Sequence, residues 1–395
     1  MHVLVINSGS SSVKARFIET ETRTLLGKGL VDRIGSPEAA LQWTDDGNSI
    51  QGSLAHATVE SAVDRLIELA EGLGKIEAVG HRIVHGGELY TRPTLVNDSV
   101  VKGVEDCAVF APLHNFAHAE GLRAARTALP NVPHVCVFDT AFHATIPVYA
   151  HRYAVPAEYY ENFGVRRYGA HGTSHQYLSA TADAWLVAKG TPTPHRVITV
   201  HLGNGCSMAA VRDGVCQETS MGFTPLEGLV MGTRCGDMDC AVVPFLMERQ
   251  NWTPAQADRF MNKDCGLLGV SGISSDMRDI ERAREEGQPD ATLAFDMFCY
   301  RIKKYVGAFV AVLGGLDALV FSGGIGEHSD AVRREVLFGL GWLGLHLDDA
   351  ANKDPQGDVC VISQSSNGPF ALVIPTDEEG LIAQQTAVIA LQAAG

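Results

Sequence analysis

Val3-Leu4-Val5-Ile6-Asn7-Ser8-Gly9-Ser10-Ser11-Ser12-Val13-Lys14-Ala15-Arg16-Phe17 decides how the rest of the chain is read. Apolar residues flank a run of small ones, so the pattern predicts a strand, a tight turn at Asn7–Ser12 and a second strand. The small side chains leave backbone N–H groups uncovered, the hydroxyls of Ser10 and Ser12 add donors, and Lys14 sets a cation beside them. Such a concave donor cluster suits phosphate oxygens. An ordinary flexible turn has the same composition, so the stretch poses a question: are nucleotide phosphates held on a β-hairpin here, and not on a Walker-type strand-to-helix loop?

The same pattern returns at Arg196-Val197-Ile198-Thr199-Val200-His201-Leu202-Gly203-Asn204-Gly205-Cys206-Ser207-Met208-Ala209-Ala210-Val211, with Asp213-Gly214 as a following hairpin signal. Two strand–turn–strand units imply an internal duplication of a nucleotide-binding half. Between and beyond them the periodicity predicts helices over 58–71, from about 114 to 129, over 176–189, 292–313 and 379–393. Strands are expected over 76–84, 135–138 and 317–321, the last turning through Ser322-Gly323-Gly324-Ile325-Gly326-Glu327 into a helix. Alternation of strands and helices indicates an α/β architecture with mixed sheets.

At 395 residues the chain exceeds one hydrophobic core and should divide into two or three domains. A formal charge of -15 argues against a nucleic-acid or anionic-membrane partner, because either needs a basic face. An anionic substrate would need a locally basic cleft. The nine cysteines are scattered with no CxxC pair, which indicates neither a zinc framework nor a disulfide scaffold and fits reduced thiols in the cytoplasm. No signal peptide is expected at the start, and no apolar run is long enough to span a bilayer.

Asn7-Ser8-Gly9-Ser10-Ser11-Ser12-Val13-Lys14, Gly80-His81-Arg82-Ile83-Val84-His85-Gly86-Gly87, Phe138-Asp139-Thr140-Ala141-Phe142-His143 and His171-Gly172-Thr173-Ser174-His175 closely resemble the acetate kinase family. So do His201-Leu202-Gly203-Asn204-Gly205, the run Gly222-Phe223-Thr224-Pro225-Leu226-Glu227-Gly228-Leu229-Val230-Met231-Gly232-Thr233-Arg234, and Gly324-Ile325-Gly326-Glu327. The resemblance runs end to end. It implies two duplicated ribonuclease H-like (actin-like ATPase) domains with an interdomain cleft, here expected at 1–138 plus 380–395 and at 139–379. It also implies conversion of ATP and a short carboxylate to ADP and an acyl phosphate, in a cytoplasmic homodimer. Mg²⁺ is the implied cofactor, with Mn²⁺ as a substitute.

The residue chemistry fits that reaction. A carboxylate is already ionised near neutrality, so the nucleophile needs no base, only tolerance of its charge beside a triphosphate; catalysis is then mostly positioning and charge stabilisation. Arg82 and Arg234 carry planar forks suited to a carboxylate and a migrating phosphoryl group; surface salt bridges are the plainer reading. By resemblance, His171 donates to an equatorial phosphoryl oxygen and Asp139 is the active-site acid, read here as orienting an arginine or holding metal-bound water. The resemblance also assigns Asn7 and Glu378 to the metal. To the nucleotide it assigns Lys14, His201, Leu202, Gly203, Asn204, Gly205, Asp276, Met277, Arg278, Gly324, Ile325, Gly326, Glu327 and His328. Asp276-Met277-Arg278 alone would read as a helix-start charge pair.

Val84, Leu113, Ala170 and Pro225 are the implied lining of a small pocket for the acyl methyl. Ala170 stands where Phe is usual, which opens space and predicts better use of propionate or butyrate, at about 0.8 kcal/mol per buried CH₂. His328 and Asp377 replace usual asparagines, Phe116 and His118 depart at a helix start, and near Arg234 Cys235 and Cys240 stand where Ser and Pro are usual. A low-pKa thiol beside an arginine would be sensitive to oxidation. Two other classes share the phosphate loops: a kinase for a hydroxyl substrate such as a sugar, with Asp139 as base, and an ATP-driven conformational or filament protein.

Overall fold

The structure, a computed structural model, describes residues 1–364 and 368–394, and at positions 113 and 394 the backbone only. The chain divides into two compact units, Met1–Ala144 with Asp377–Gly395, and Thr145–Thr376. These boundaries differ by a few residues from the expected 138/139 and 379/380. Asp139 stays with the first unit because its N–H donates to the Ile83 carbonyl (2.9 Å) and its carboxylate pairs with Arg82. Glu378 stays there because it begins the helix Glu378–Ala394, which packs on the first sheet.

Eight strands form that first sheet: β1 (His2–Ser8), β2 (Ser12–Glu19), β3 (Thr24–Asp32), β4 (Ala40–Asp45), β5 (Ser49–Ser53), β6 (Ala78–Ile83), β7 (Thr94–Leu95) and β8 (His134–Phe138). Their order is β5-β4-β3-β2-β1-β6-β8-β7. β1 to β3 are an antiparallel meander, while β6 and β8 run parallel to β1. The period of two along β1 explains the layers. Leu4 and Ile6 face the helices Val59–Glu71 and Pro112–Ala128, whereas Val3 and Val5 face Glu378–Ala394. Thr58 caps the first of these helices through a reciprocal pair with Ser61: the Ser61 N–H donates to Thr58 Oγ1 (3.1 Å), and the Thr58 N–H to Ser61 Oγ (3.0 Å).

The second unit repeats the plan with β9 (Arg196–Leu202), β10 (Cys206–Arg212), β11 (Val215–Thr219), β12 (Ala318–Ser322), β13 (Cys360–Val361) and β14 (Phe370–Val373). The order is β11-β10-β9-β12-β14-β13, again a meander followed by two strands parallel to the first. The helix Pro289–Leu313 covers one face and Gly172–Ala188 the other. Equivalent strands therefore occupy equivalent places in both sheets, which is the duplication that the two small-residue turns suggested. Gly323 shows why the late glycines are needed: its φ is +74°, and a Cβ there would collide with the Leu202 backbone at the end of β9.

Candidate active site

In the first unit, Asn7, next to last in β1, lies directly across from Lys14 on β2, and the Gly9 N–H donates to the Ser12 carbonyl (2.7 Å). That bond closes the small-residue turn and leaves Ser10 exposed. Arg82 sits at the end of β6. Its Nε and Nη2 donate to Oδ1 (3.2 Å) and Oδ2 (2.8 Å) of Asp139, and Glu378 Oε2 lies 3.5 Å from Nη2. Asp139 is buried at 1% exposure, with both carboxylate oxygens on this one guanidinium. Burial opposes the charge on Arg82, but Asp139 and Glu378 outweigh it and raise the pKa.

In the second unit, His171 occupies the left-handed region at φ 54°, ψ 27°, immediately before the helix Gly172–Ala188. A residue with a Cβ is uncommon there. A hydrogen-bond chain fixes its ring: His171 Nδ1 to Ser207 Oγ (2.8 Å), Ser207 Oγ to His175 Nε2 (2.8 Å), and His175 Nδ1 to Thr199 Oγ1 (2.7 Å). His171 also stacks on His201, with ring centroids 4.5 Å apart. With Nδ1 engaged, the Nε2 edge points at Gly205: Nε2 lies 3.4 Å, and Arg234 Nη1 3.5 Å, from where a Gly205 Cβ would stand. The imidazole and the guanidinium thus converge on the β9–β10 turn.

Arg234 contrasts with Arg82. Its Nη1 donates to the Pro225 carbonyl (3.0 Å) and approaches Met231 Sδ (3.6 Å); among the described residues it has no ion pair. Burial pulls its pKa below the usual arginine value. The segment carrying it is clasped by a neighbour, with Leu267 N–H on the Met231 carbonyl (2.9 Å), Leu268 N–H on Gly232 (3.0 Å) and Cys265 N–H on Thr233 (3.1 Å).

A cavity of about 600 Å³ opens beside the β9–β10 turn, lined by Gly203, Asn204, Asp276, Met277, Arg278, Gly324, Ile325 and His328. It suits a nucleoside-sized ligand. Eight of the predicted nucleotide residues therefore meet in one place. Asp276 is at once the N-cap of the helix Met277–Glu285 and a chelator of Arg278, with Nη2–Oδ2 at 2.6 Å. Ser275, Glu281 and Ser329 also line the cavity and were missed from sequence. Glu281 and Ser329 hydrogen-bond to each other, a pairing that nothing in their local sequence signals. Leu202 is wholly buried in the core instead, and Glu327 accepts from Gly323 N–H (2.9 Å), which bends the loop. Gly326 is buried beside Phe321, and His201 Nδ1 is held by Ser174 (2.8 Å). Lys14 lines a separate cavity of about 230 Å³ on the first unit, with Arg16, Lys28 and Glu379.

Val84 and Ala170 belong to different units, half-buried and buried at 4% respectively, and Pro225 supplies the carbonyl that holds Arg234. The side chain of Leu113 lies outside the described residues. Asn7 and Glu378 present an amide and a carboxylate oxygen, the hard donors that Mg²⁺ takes. Among the described residues no three His, Cys, Asp or Glu side chains gather as a cage, so an ion held by Asn7 and Glu378 would complete its shell with phosphate oxygens and waters.

Two sheets of repeated topology, each opening on a strand–turn–strand loop, define a phosphotransferase of the actin-like ATPase fold. The description "Acetokinase family" belongs to the family model that matches residues 2–384. An acetate kinase of Caldicellulosiruptor saccharolyticus is 45% identical over 98% of this chain and 98% of its own. The Porphyromonas gingivalis acetate kinase structure superposes with a TM-score of 0.92 at 42% identity, covering 98% of this chain and 99% of that one. A Francisella tularensis propionate kinase structure gives 0.92 at 38% identity over 98% and 99%. The chain belongs to the acetokinase family.

Proposed function

We propose that the protein catalyses reversible, Mg²⁺-dependent transfer of the terminal phosphoryl group of ATP to acetate, giving ADP and acetyl phosphate. The observation that carries this reading is Arg234, a half-buried guanidinium with no ion pair among the described residues, converging with His171 on the β9–β10 turn. A partly desolvated cation without a counter-charge is costly unless an anion uses it.

The acceptor carboxylate attacks without giving up a proton. Arg82 orients it through the guanidinium edge that Asp139 does not occupy, and Asp139 fixes that edge. Both Asp139 oxygens are spent on Arg82, which supports positioning and weighs against the base that a sugar hydroxyl would require. His171 Nε2 and Arg234 stabilise the charge on the phosphoryl group in flight. The nucleoside lies in the 600 Å³ cavity, with Lys14, Ser10 and Ser12 on the phosphates. Mg²⁺, held by Asn7 and Glu378, neutralises phosphate charge when bound.

Ala170 supports a second acceptor reading, propionate or butyrate, because a methyl group stands where a ring is usual. The active form is taken to be a cytoplasmic homodimer; light scattering coupled to gel filtration tests the dimer, and a monomeric active species contradicts it. The catalytic reading itself is tested by Arg234→Met. Its kcat should fall about a thousandfold while the thermal midpoint stays level or rises, since a half-buried charge without an ion pair is removed. A large fall in midpoint with activity retained would mark Arg234 as structural.

A further inference from the structure

Cys235 follows Arg234 directly, and Cys265 precedes Gly266, which lies against the Arg234 backbone: a Cβ on Gly266 would stand 2.9 Å from both the nitrogen and the oxygen of Arg234. Two backbone bonds hold the cysteines' segments together, Cys235 N–H to the Met261 carbonyl (3.2 Å) and Cys265 N–H to the Thr233 carbonyl (3.1 Å). The backbones on either side of the two cysteines are thus in contact, and each thiol perturbs the titration of the other. Both are half-buried, unlike Cys107, Cys136, Cys206, Cys216 and Cys299, which are buried.

We propose that Cys235 and Cys265 form a redox-active dithiol that a hydroperoxide converts to a disulfide, and that this cross-link displaces Arg234 and switches off phosphoryl transfer. The neighbouring Cys265, with help from the nearby Arg301, holds Cys235 below an ordinary thiol, and Cys235 in turn pushes Cys265 up. Cys235 is then the attacking thiolate and Cys265 the resolving thiol. The Cys235 sulfur takes the terminal oxygen of the hydroperoxide, which leaves as an alcohol, or as water from hydrogen peroxide, and a sulfenic acid forms. The Cys265 sulfur attacks that sulfenic sulfur. The S–S bond forms as hydroxide leaves and takes up the thiol proton as water. In sum, two thiols are oxidised and one peroxide bond is reduced, and a dithiol reductant reverses the change.

A disulfide requires an S–S separation of about 2.05 Å, so the two free sulfurs must draw together to form it. Gly266 couples that movement to Arg234, because no side chain cushions the two backbones there. The activity half of the proposal rests on Arg234 serving phosphoryl transfer. The sequence singles out Cys235 and Cys240 near Arg234; Cys240 is exposed, and it is the segment of Cys265 that lies beside Arg234.

The test treats the reduced full-length protein with hydrogen peroxide, blocks remaining thiols, and maps peptides by mass spectrometry without reduction. ATP:acetate phosphotransferase activity is assayed in parallel. Expected are a Cys235–Cys265 cross-linked peptide and an activity loss of about tenfold or more, both reversed by dithiothreitol. Cys265→Ser should stop at a Cys235 sulfenic acid that reacts with dimedone, and Cys240→Ser should behave as wild type. Both cysteines remaining alkylatable after peroxide, or Cys235 paired with Cys240, overturns the dithiol. A complete cross-link with unchanged activity overturns the switch. Absence of activity in the fully reduced protein would instead count against the function proposed above, which the peptide map does not depend on.

Discussion

Arg82 and Arg234 show how one residue type is prepared for two tasks. Asp139 and Glu378 hold the first in a fixed pose, whereas the second has no ion pair among the described residues and, on the function proposed above, serves the phosphoryl group. Asp139→Asn should therefore lower kcat by about a hundredfold through lost orientation. The acidic limb of the pH–rate profile should persist, and a limb that vanished with the substitution would identify Asp139 as a base. At Ala170, Phe must enter a site only 4% exposed, so some loss of stability, about 1–3 kcal/mol, is expected from overpacking. The informative quantity is the ratio of kcat/KM for propionate to that for acetate, which should fall in Ala170→Phe; an unchanged ratio removes Ala170 as a specificity determinant. The arginines were singled out because glycines and the ends of apolar segments surround them, and His171 and Asp139 through the family resemblance. Ser275, Glu281 and Ser329 were not, since their role comes from packing around a cavity that no local pattern announces.

Where β6, β8 and the helix Pro112–Ala128 meet, the first unit holds a set of neutral histidines. His134 Nε2 donates to the Leu129 carbonyl (3.1 Å), so its Nδ1 accepts from His81 Nε2 (3.0 Å). Burial lowers the pKa of His81 and His134 and brings that of His118 to about 3. Each folded-state value lies below the unfolded 6.5, so the unfolded chain takes up protons first as pH falls. Their contribution is complete above about pH 6.5 and is lost progressively toward acid. At pH 5, His118 alone should remove about 2 kcal/mol. Thermal midpoints measured at pH 7 and pH 5 should differ less in His118→Asn than in wild type; an equal drop contradicts the assignment.

The fold at this scale was largely readable. The helical spacing of Val59, Ala62, Val63, Leu66, Ile67 and Ala70 predicts one apolar face over 58–71, and these six are the buried residues of the helix Val59–Glu71. The helix Val242–Gln250 was not readable, because it has no buried residue and hence no periodic signal.

For the molecule as a whole, the repeated sheet order explains why two weak turn signals together determined the architecture: each half builds the same meander and the same pair of parallel strands. Asn7, Arg82, Asp139 and Glu378 belong to the first unit, and His171, Arg234 and the 600 Å³ cavity to the second, so the proposed function draws on residues of both. Substitutions in either unit should thus abolish the same activity. The most direct measurement is a hydroxylamine trap for acyl phosphate, run with ATP and Mg²⁺ against acetate, propionate, butyrate and glucose. Acyl hydroxamate should form with the carboxylates in step with ADP release, should be lost in both Arg82→Ala and Arg234→Ala, and should be absent with glucose. ADP release driven by glucose, with no hydroxamate from any carboxylate, would contradict carboxylate kinase chemistry.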